Sequence, residues 1–187
     1  LEFRRVLFRS VYPSNPHDAK GLLLAAFEDP NPVLFFEHKA LYRKISEEIP
    51  DDYYTIEIGK AALAQTGDDI SIITYGYGVH WAKEIINEMN INADILDLRS
   101  LAPLDYEAIE TTVKKTGKVI ILHEATQTGG IGGELSAYIS EHLFEYLDAP
   151  ILRATSLDTP VPFAKTLEKQ FLPVDRFKMK IEKLLKY

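Results

Sequence analysis

The order of apolar and polar positions changes character along the chain. From about residue 68 onward it is regular. Short apolar runs at residues 70–75, 93–98, 118–123 and 151–154 read as strands, because they lack the alternation of a half-exposed strand and so suit a sheet covered on both faces. Between and after them, residues 79–89, 106–115, 133–147 and 173–185 repeat apolar positions at helical spacing. Strands alternating with helices of ten or more residues predict an α/β fold, a mostly parallel sheet with helices on both faces.

Before residue 68 the pattern is less even. Leu22, Leu23, Ala26 and Phe27 put one face of a helix toward a core, with Asp18 as the expected N-cap. Asp29-Pro30-Asn31-Pro32 stops that helix and turns the chain. The run VLFFE that follows reads as a short, fully buried strand. Residues 39–68 mix charge, aromatics and proline without a sustained period, so they read as a connector, with a domain boundary at about residues 48–67.

Composition narrows the class. The chain has 187 residues, 46% hydrophobic and 26% charged, with no cysteine and a net charge of -7. Disulfides, thiolate metal sites and a cysteine nucleophile are excluded. The acidic balance argues against nucleic acid, and no apolar run approaches the roughly 20 residues of a membrane helix. The first ten residues, LEFRRVLFRS, are unlike the rest. They read codon for codon as a common sequencing adapter, CTG GAG TTC AGA CGT GTG CTC TTC CGA TCT. Residues 1–10 are therefore expected to be non-native, with the protein proper entering at Val11. Setting aside their three arginines and one glutamate makes the remainder more acidic still.

Candidate chemistry is sparse. HEATQTGGIGGE, residues 123–134, places a histidine at a strand end, then a glycine-rich loop, then a helix start. One reading is a phosphate loop with His123 as an acid–base group. The other is a tight turn whose glycines serve packing. The second is favoured, because no Gly-Lys-Ser/Thr follows and the spacing misses the dinucleotide pattern. TGDDIS, residues 66–71, reads as a solvated turn. His17, His38, His80, His123 and His142 show no metal-ligand spacing, and His80 and His142 are expected at the surface. There is no Gly-x-Ser-x-Gly elbow. Asp148 and Asp158 sit in turns, where capping is their ordinary role. The proline-fixed turn at Asp29 can aim several carbonyls one way, which suits a hard monovalent ion; a plain helix exit is the favoured reading of these residues by themselves.

Seven ordered blocks carry a resemblance: GLLLAAFEDPNPVLFFEHKALYR, TYGYGVHWA, ILDLRSLAPLD, KKTGKVIILHEA, TGGIGGE, YLDAPILRATSLDTPVPFA and LEKQFLP. Together, over residues 11–187, they resemble the β subunit of the thiamine-diphosphate-dependent 2-oxo acid dehydrogenase decarboxylase component, with FFEHKALYR more like the branched-chain enzymes than the mammalian-type pyruvate enzymes. The resemblance implies that residues 11–48 end a pyrimidine-binding domain, 49–67 link, and 68–187 form a transketolase-type C-terminal domain. It implies oxidative decarboxylation of a 2-oxo acid with acyl transfer to lipoyl groups, with thiamine diphosphate and Mg2+ in the full complex. The family's principal catalytic glutamate and histidine fall upstream of Val11, so no catalytic residue is assigned here. It also implies a K+ site built from backbone carbonyls of Ala26, Asp29 and Asn31, and a partner contact at Asp148. The implied partners are an α subunit, a second β subunit and the lipoyl acyltransferase core. The implied location is the bacterial cytoplasm, or the mitochondrial matrix in a eukaryote. Other readings are a pyruvate or acetoin enzyme, another thiamine enzyme's C-terminal domain, or a purely partner-binding module. With part of its sheet lacking, residues 11–48 are expected to pack poorly around Phe35 and Phe36.

Overall fold

The computed structural model describes residues 8–187. Of the segment expected to be adapter-derived, residues 1–7 lie outside the described residues. The elements run β1 (Arg9–Val11), α1 (Pro16–Glu28), β2 (Val33–Phe35), α2 (Leu41–Lys44), β3 (Ala62–Gln65), β4 (Ile70–Thr74), α3 (Tyr77–Met89), β5 (Ala93–Asp97), β6 (Ser100–Ala102), α4 (Tyr106–Thr116), β7 (Val119–Thr126), α5 (Gly132–His142), a 3-10 turn at Phe144–Tyr146, β8 (Leu152–Ser156), α6 (Lys165–Phe171) and α7 (Val174–Leu184).

The main sheet has the order β3-β5-β4-β7-β8. Four of its strands are parallel, with Ile72 facing Ile95 and Ile120 in register. The edge strand β3 runs antiparallel to β5, so the sheet is mixed. Both faces are covered, as the unbroken apolar runs require. Ile70, Ile72, Ile95 and Ile120 pack under Trp81 and Ile85 of α3 and Phe177 and Ile181 of α7. Ile73, Leu96 and Ile121 pack on the opposite face, under Ile109 and Val113 of α4 and Leu135 and Ile139 of α5.

The predicted elements after residue 68 all form, and several details differ. The fifth helix ends at His142, not at residue 147, and a 3-10 turn follows. Residues 39–68 are not featureless: α2 and β3 lie within them. Strand β3 escapes a period-based reading because it is a four-residue edge, recruited by the exposed flank of β5. Helix α1 is capped by Asn15, whose side chain accepts from Asp18 N–H at 2.7 Å, and Pro16 takes the first helical position, where its missing N–H costs nothing. Asp18, expected as the cap, is one turn inside and buried.

A smaller sheet has the order β2-β1-β6. Strand β1 is parallel to β2 and antiparallel to β6. The early segment is therefore stitched to the turn after β5. Val11 and Leu22 are wholly buried, whereas β2 is half-exposed and not fully buried as its composition suggested. The reason is position: β2 pairs with β1 only. Phe27, Leu34 and Phe36 are exposed around it.

Candidate functional site

Ala26 lies in the last turn of α1, and Asp29 and Asn31 lie in the turn that follows it. Asp29 Oδ1 accepts from Asn31 N–H at 2.8 Å and from Asn31 Nδ2 at 2.9 Å, closing an Asx turn. These bonds, with help from the Arg9 charge, hold the Asp29 carboxyl below its ordinary range. Pro30 and Pro32 have no N–H, so the helical donor for the Ala26 carbonyl and a turn donor for the Asp29 carbonyl are both missing. Among the described residues, none of the carbonyls of Ala26, Asp29 and Asn31 takes a backbone N–H outside the regular elements. Carbonyl oxygens with no donor among the described residues are hard ligands of the kind a monovalent cation takes. Against it, Arg9 Nε sits 2.7 Å from Asp29 Oδ2 and already supplies positive charge there.

Asp148 lies elsewhere, in the turn before β8. Its N–H donates to Gly117 O at 2.8 Å. Gly117 takes a φ of 65°, and a Cβ there would meet Asp148 Oδ2 at 2.3 Å. The residue thus has a local structural role, and its side chain is exposed. Beside it opens a groove of about 700 Å3 lined in part by Ser136, Ser140, Phe144, Arg153 and Tyr187.

The glycine-rich loop resolves toward packing. His123 is buried, its Nδ1 is 3.1 Å from Ala125 O, and its Nε2 accepts from Gly132 N–H at 3.2 Å. The imidazole occupies the N-terminus of α5, where a phosphate would have to bind. Gly130 and Gly132 press on its ring, and a Cβ at Gly132 would meet Nε2 at 2.5 Å. Burial pulls this histidine down to about 4, so it stays neutral.

Sequence reasoning missed a polar network at the end of β5. Asp97 is buried, accepts from Ser14 Oγ at 2.5 Å and from Arg99 N–H at 3.1 Å, and burial pushes its carboxyl up to about 7. Arg99 adopts φ 53° and reaches Asp18 at 3.3 Å and Ala61 O at 3.1 Å. His80, expected at the surface, is half-buried with Nε2 2.7 Å from Ser14 O. These contacts tie residues 14–18 to the main sheet. The available signal was two carboxylates, Asp94 and Asp97, inside an otherwise apolar strand.

Among the described residues no group of three or more His, Asp or Glu side chains is placed to hold a metal ion. No helix there is long and apolar enough to cross a membrane.

Comparison with known proteins agrees with this architecture. The chain is 51% identical over 166 residues to the 2-oxoisovalerate dehydrogenase subunit beta of Bacillus subtilis, covering 87% of this chain and 51% of that protein. It is 47% identical over 168 residues to the acetoin:2,6-dichlorophenolindophenol oxidoreductase subunit beta of the same organism, covering 88% and 49%. The chain spans about half the length of the curated relatives it matches. A solved structure described as a split-gene transketolase, inactive beta4 tetramer, superposes with a TM-score of 0.75 at 21% identity, over 96% of this chain and 58% of that one; this likeness speaks to fold alone. Residues 59–176, which hold all five strands of the main sheet, match the family described as "Transketolase, C-terminal domain", and the chain belongs to that family.

Proposed function

We propose that this chain works within the β subunit of a 2-oxo acid dehydrogenase decarboxylase component of the branched-chain type. The carrying observation is the 51% identity over 166 residues to a 2-oxoisovalerate dehydrogenase subunit beta. In this reading residues 11–48 close a pyrimidine-binding domain, 49–67 link, and 68–187 form the assembly domain. Thiamine diphosphate, which supplies the electron sink for decarboxylation, and Mg2+ are held by groups outside the described residues. The residues here bind and orient partners: an α subunit, a second β subunit and the lipoyl acyltransferase core. The carbonyls of Ala26, Asp29 and Asn31 are the K+ ligands, supported by the absence of proline donors. Asp148 is the core contact, supported by its exposure beside an open groove. The reading places the protein in a bacterial cytoplasm or a mitochondrial matrix. A second reading, an acetoin or pyruvate enzyme, is favoured by the 47% identity to the acetoin enzyme's β subunit and 43% to a pyruvate dehydrogenase β subunit.

The test combines binding and turnover. Sedimentation of the chain with the α subunit and with the acyltransferase core should show association with both. Addition of a lipoyl acceptor and 2-oxoisovalerate, pyruvate or acetoin should give no turnover. Turnover would defeat the placement of the chemistry outside these residues. Failure to associate with either partner would defeat the subunit assignment.

A further inference from the structure

A second cleft, distinct from both features above, opens at the carboxyl ends of β4 and β7, where parallel sheets offer side chains to ligands. Its volume is about 350 Å3, and Tyr12, Tyr75, Glu124, Val161, Glu168 and Phe171 form most of its wall. The Tyr12 and Tyr75 rings stand 5.5 Å apart at 50°, making an aromatic corner. Tyr75 is only 9% exposed. Among the described residues no hydrogen bond reaches the hydroxyl of Tyr75 or of Tyr12. Neither hydroxyl is sealed from solvent, so both are open to hydrogen bond with a ligand in the cleft.

The charge around the cleft has one sign. Glu124 and Glu168 border it, and the field of Glu124 is felt by both phenols. The nearby basic groups are spoken for or stand aside. His38 Nε2 engages one oxygen of Glu124 at 2.9 Å, leaving the other. Arg176 donates to the carbonyls of Thr155, Gln170, Phe171 and Leu172. His123, stacked under Tyr75 at 6.1 Å, is neutral. Lys165 and Lys169 lie on α6 but do not line the cleft. Outside the mouth, Val161, Phe163 and Leu167 form an exposed apolar lip, with Phe163 fully exposed.

We propose that this cleft receives an arginine side chain from a partner protein, whose neighbouring apolar residues rest on the Val161–Phe163–Leu167 lip. A guanidinium meets each requirement of the wall. Its plane lies against a tyrosine face, its fork donates to a carboxylate, and its remaining N–H groups donate to phenol oxygens. An ammonium supplies the charge without the plane or the fork. The net charge of -7 favours approach of a basic partner. The proposal stands independently of the decarboxylase reading.

The test is a titration of the full chain, with tyrosine rings carbon-labelled for NMR. The probes are three short peptides alike except for a central arginine, lysine or citrulline, each followed by a leucine. The arginine peptide should saturably shift the Tyr12 and Tyr75 ring signals. The lysine peptide should bind more weakly and the citrulline peptide not measurably. Tyr75→Phe keeps the ring and removes the hydroxyl, and should weaken binding about tenfold. Glu168→Gln, at an exposed position where folding is not at stake, should weaken it severalfold. No saturable shift, equal binding of the citrulline peptide, or unchanged affinity in both variants would overturn the proposal.

Discussion

Asp97 shows how much one carboxyl can matter. Burial pushes it up to about 7, and the Ser14 hydroxyl and Arg99 N–H oppose that without cancelling it. In the unfolded chain the same group titrates near 3.8. The folded state therefore holds a proton between these values that the unfolded state releases. The stability that Asp97 contributes is complete below about pH 4, falls as pH rises, and is gone above about pH 7. Thermal unfolding at about pH 5 and about pH 8 should show a loss of stability that Asp97→Asn reduces, since asparagine does not titrate; an equal loss in both proteins would contradict the assignment. Asp148 is the opposite case, exposed and held by its backbone. If it meets a basic partner surface, Asp148→Lys should weaken binding of the acyltransferase core by about tenfold or more at low salt, and the difference should shrink as salt is added. Binding that is unchanged at every ionic strength would remove Asp148 from the interface. Neither role could be inferred from residue type. Both are aspartates, and only their surroundings separate them.

At the scale of elements, period decided most of what was legible. Strands β4, β5 and β7 were visible as apolar runs because helices cover both faces. Helices α3 and α4 were visible because one face of each is buried. Elements that no period marks were missed: β3, β6 and α6 are short, and partners, not sequence, make them regular. Close approach sets another limit on elements. Gly67 precedes β4, and a Cβ there would stand 2.3 Å from the backbone nitrogen of Ala93. Because backbone cannot rotate away, Gly67→Ala should cost about 1–3 kcal/mol or more, read from chemical denaturation. A neutral effect would mean that the turn before β4 relaxes freely. The glycines at positions 130 and 132 carry the same logic into the loop that first suggested phosphate. They make room for the His123 ring, and the ring fills the helix terminus.

At the scale of the whole molecule, the described residues form two sheets of unequal standing. The five-stranded sheet is sealed by helices on both faces. The three-stranded sheet is fastened at its β6 side and by the Ser14, Asp18 and Arg99 contacts, while β2 forms its edge. Amide exchange should follow this order, slowest in β4, β5 and β7 and much faster in β2. Protection of β2 equal to that of β4 would show that the early segment is fully integrated. Phe36 is exposed, whereas Val11 and Leu22 are as buried as any residue of the main core, so the early segment is only partly packed.

Local order along the chain was enough to determine the class of fold, the succession of strands and helices after residue 68, and the proline-fixed turn at Asp29-Pro30-Asn31-Pro32 that ends the first helix. Those features depend on near neighbours: burial period, and donors that proline lacks. Tertiary structure alone decided that β3 joins antiparallel, that His123 caps α5 and so excludes phosphate there, that Asp97 carries its proton into the neutral range, and that Tyr12, Tyr75, Glu124 and Phe171 meet at one cleft. Each of these depends on groups far apart in sequence brought within a few ångströms. Periodicity carries no information about which distant side chains meet, or whether a polar group meeting them is left without water.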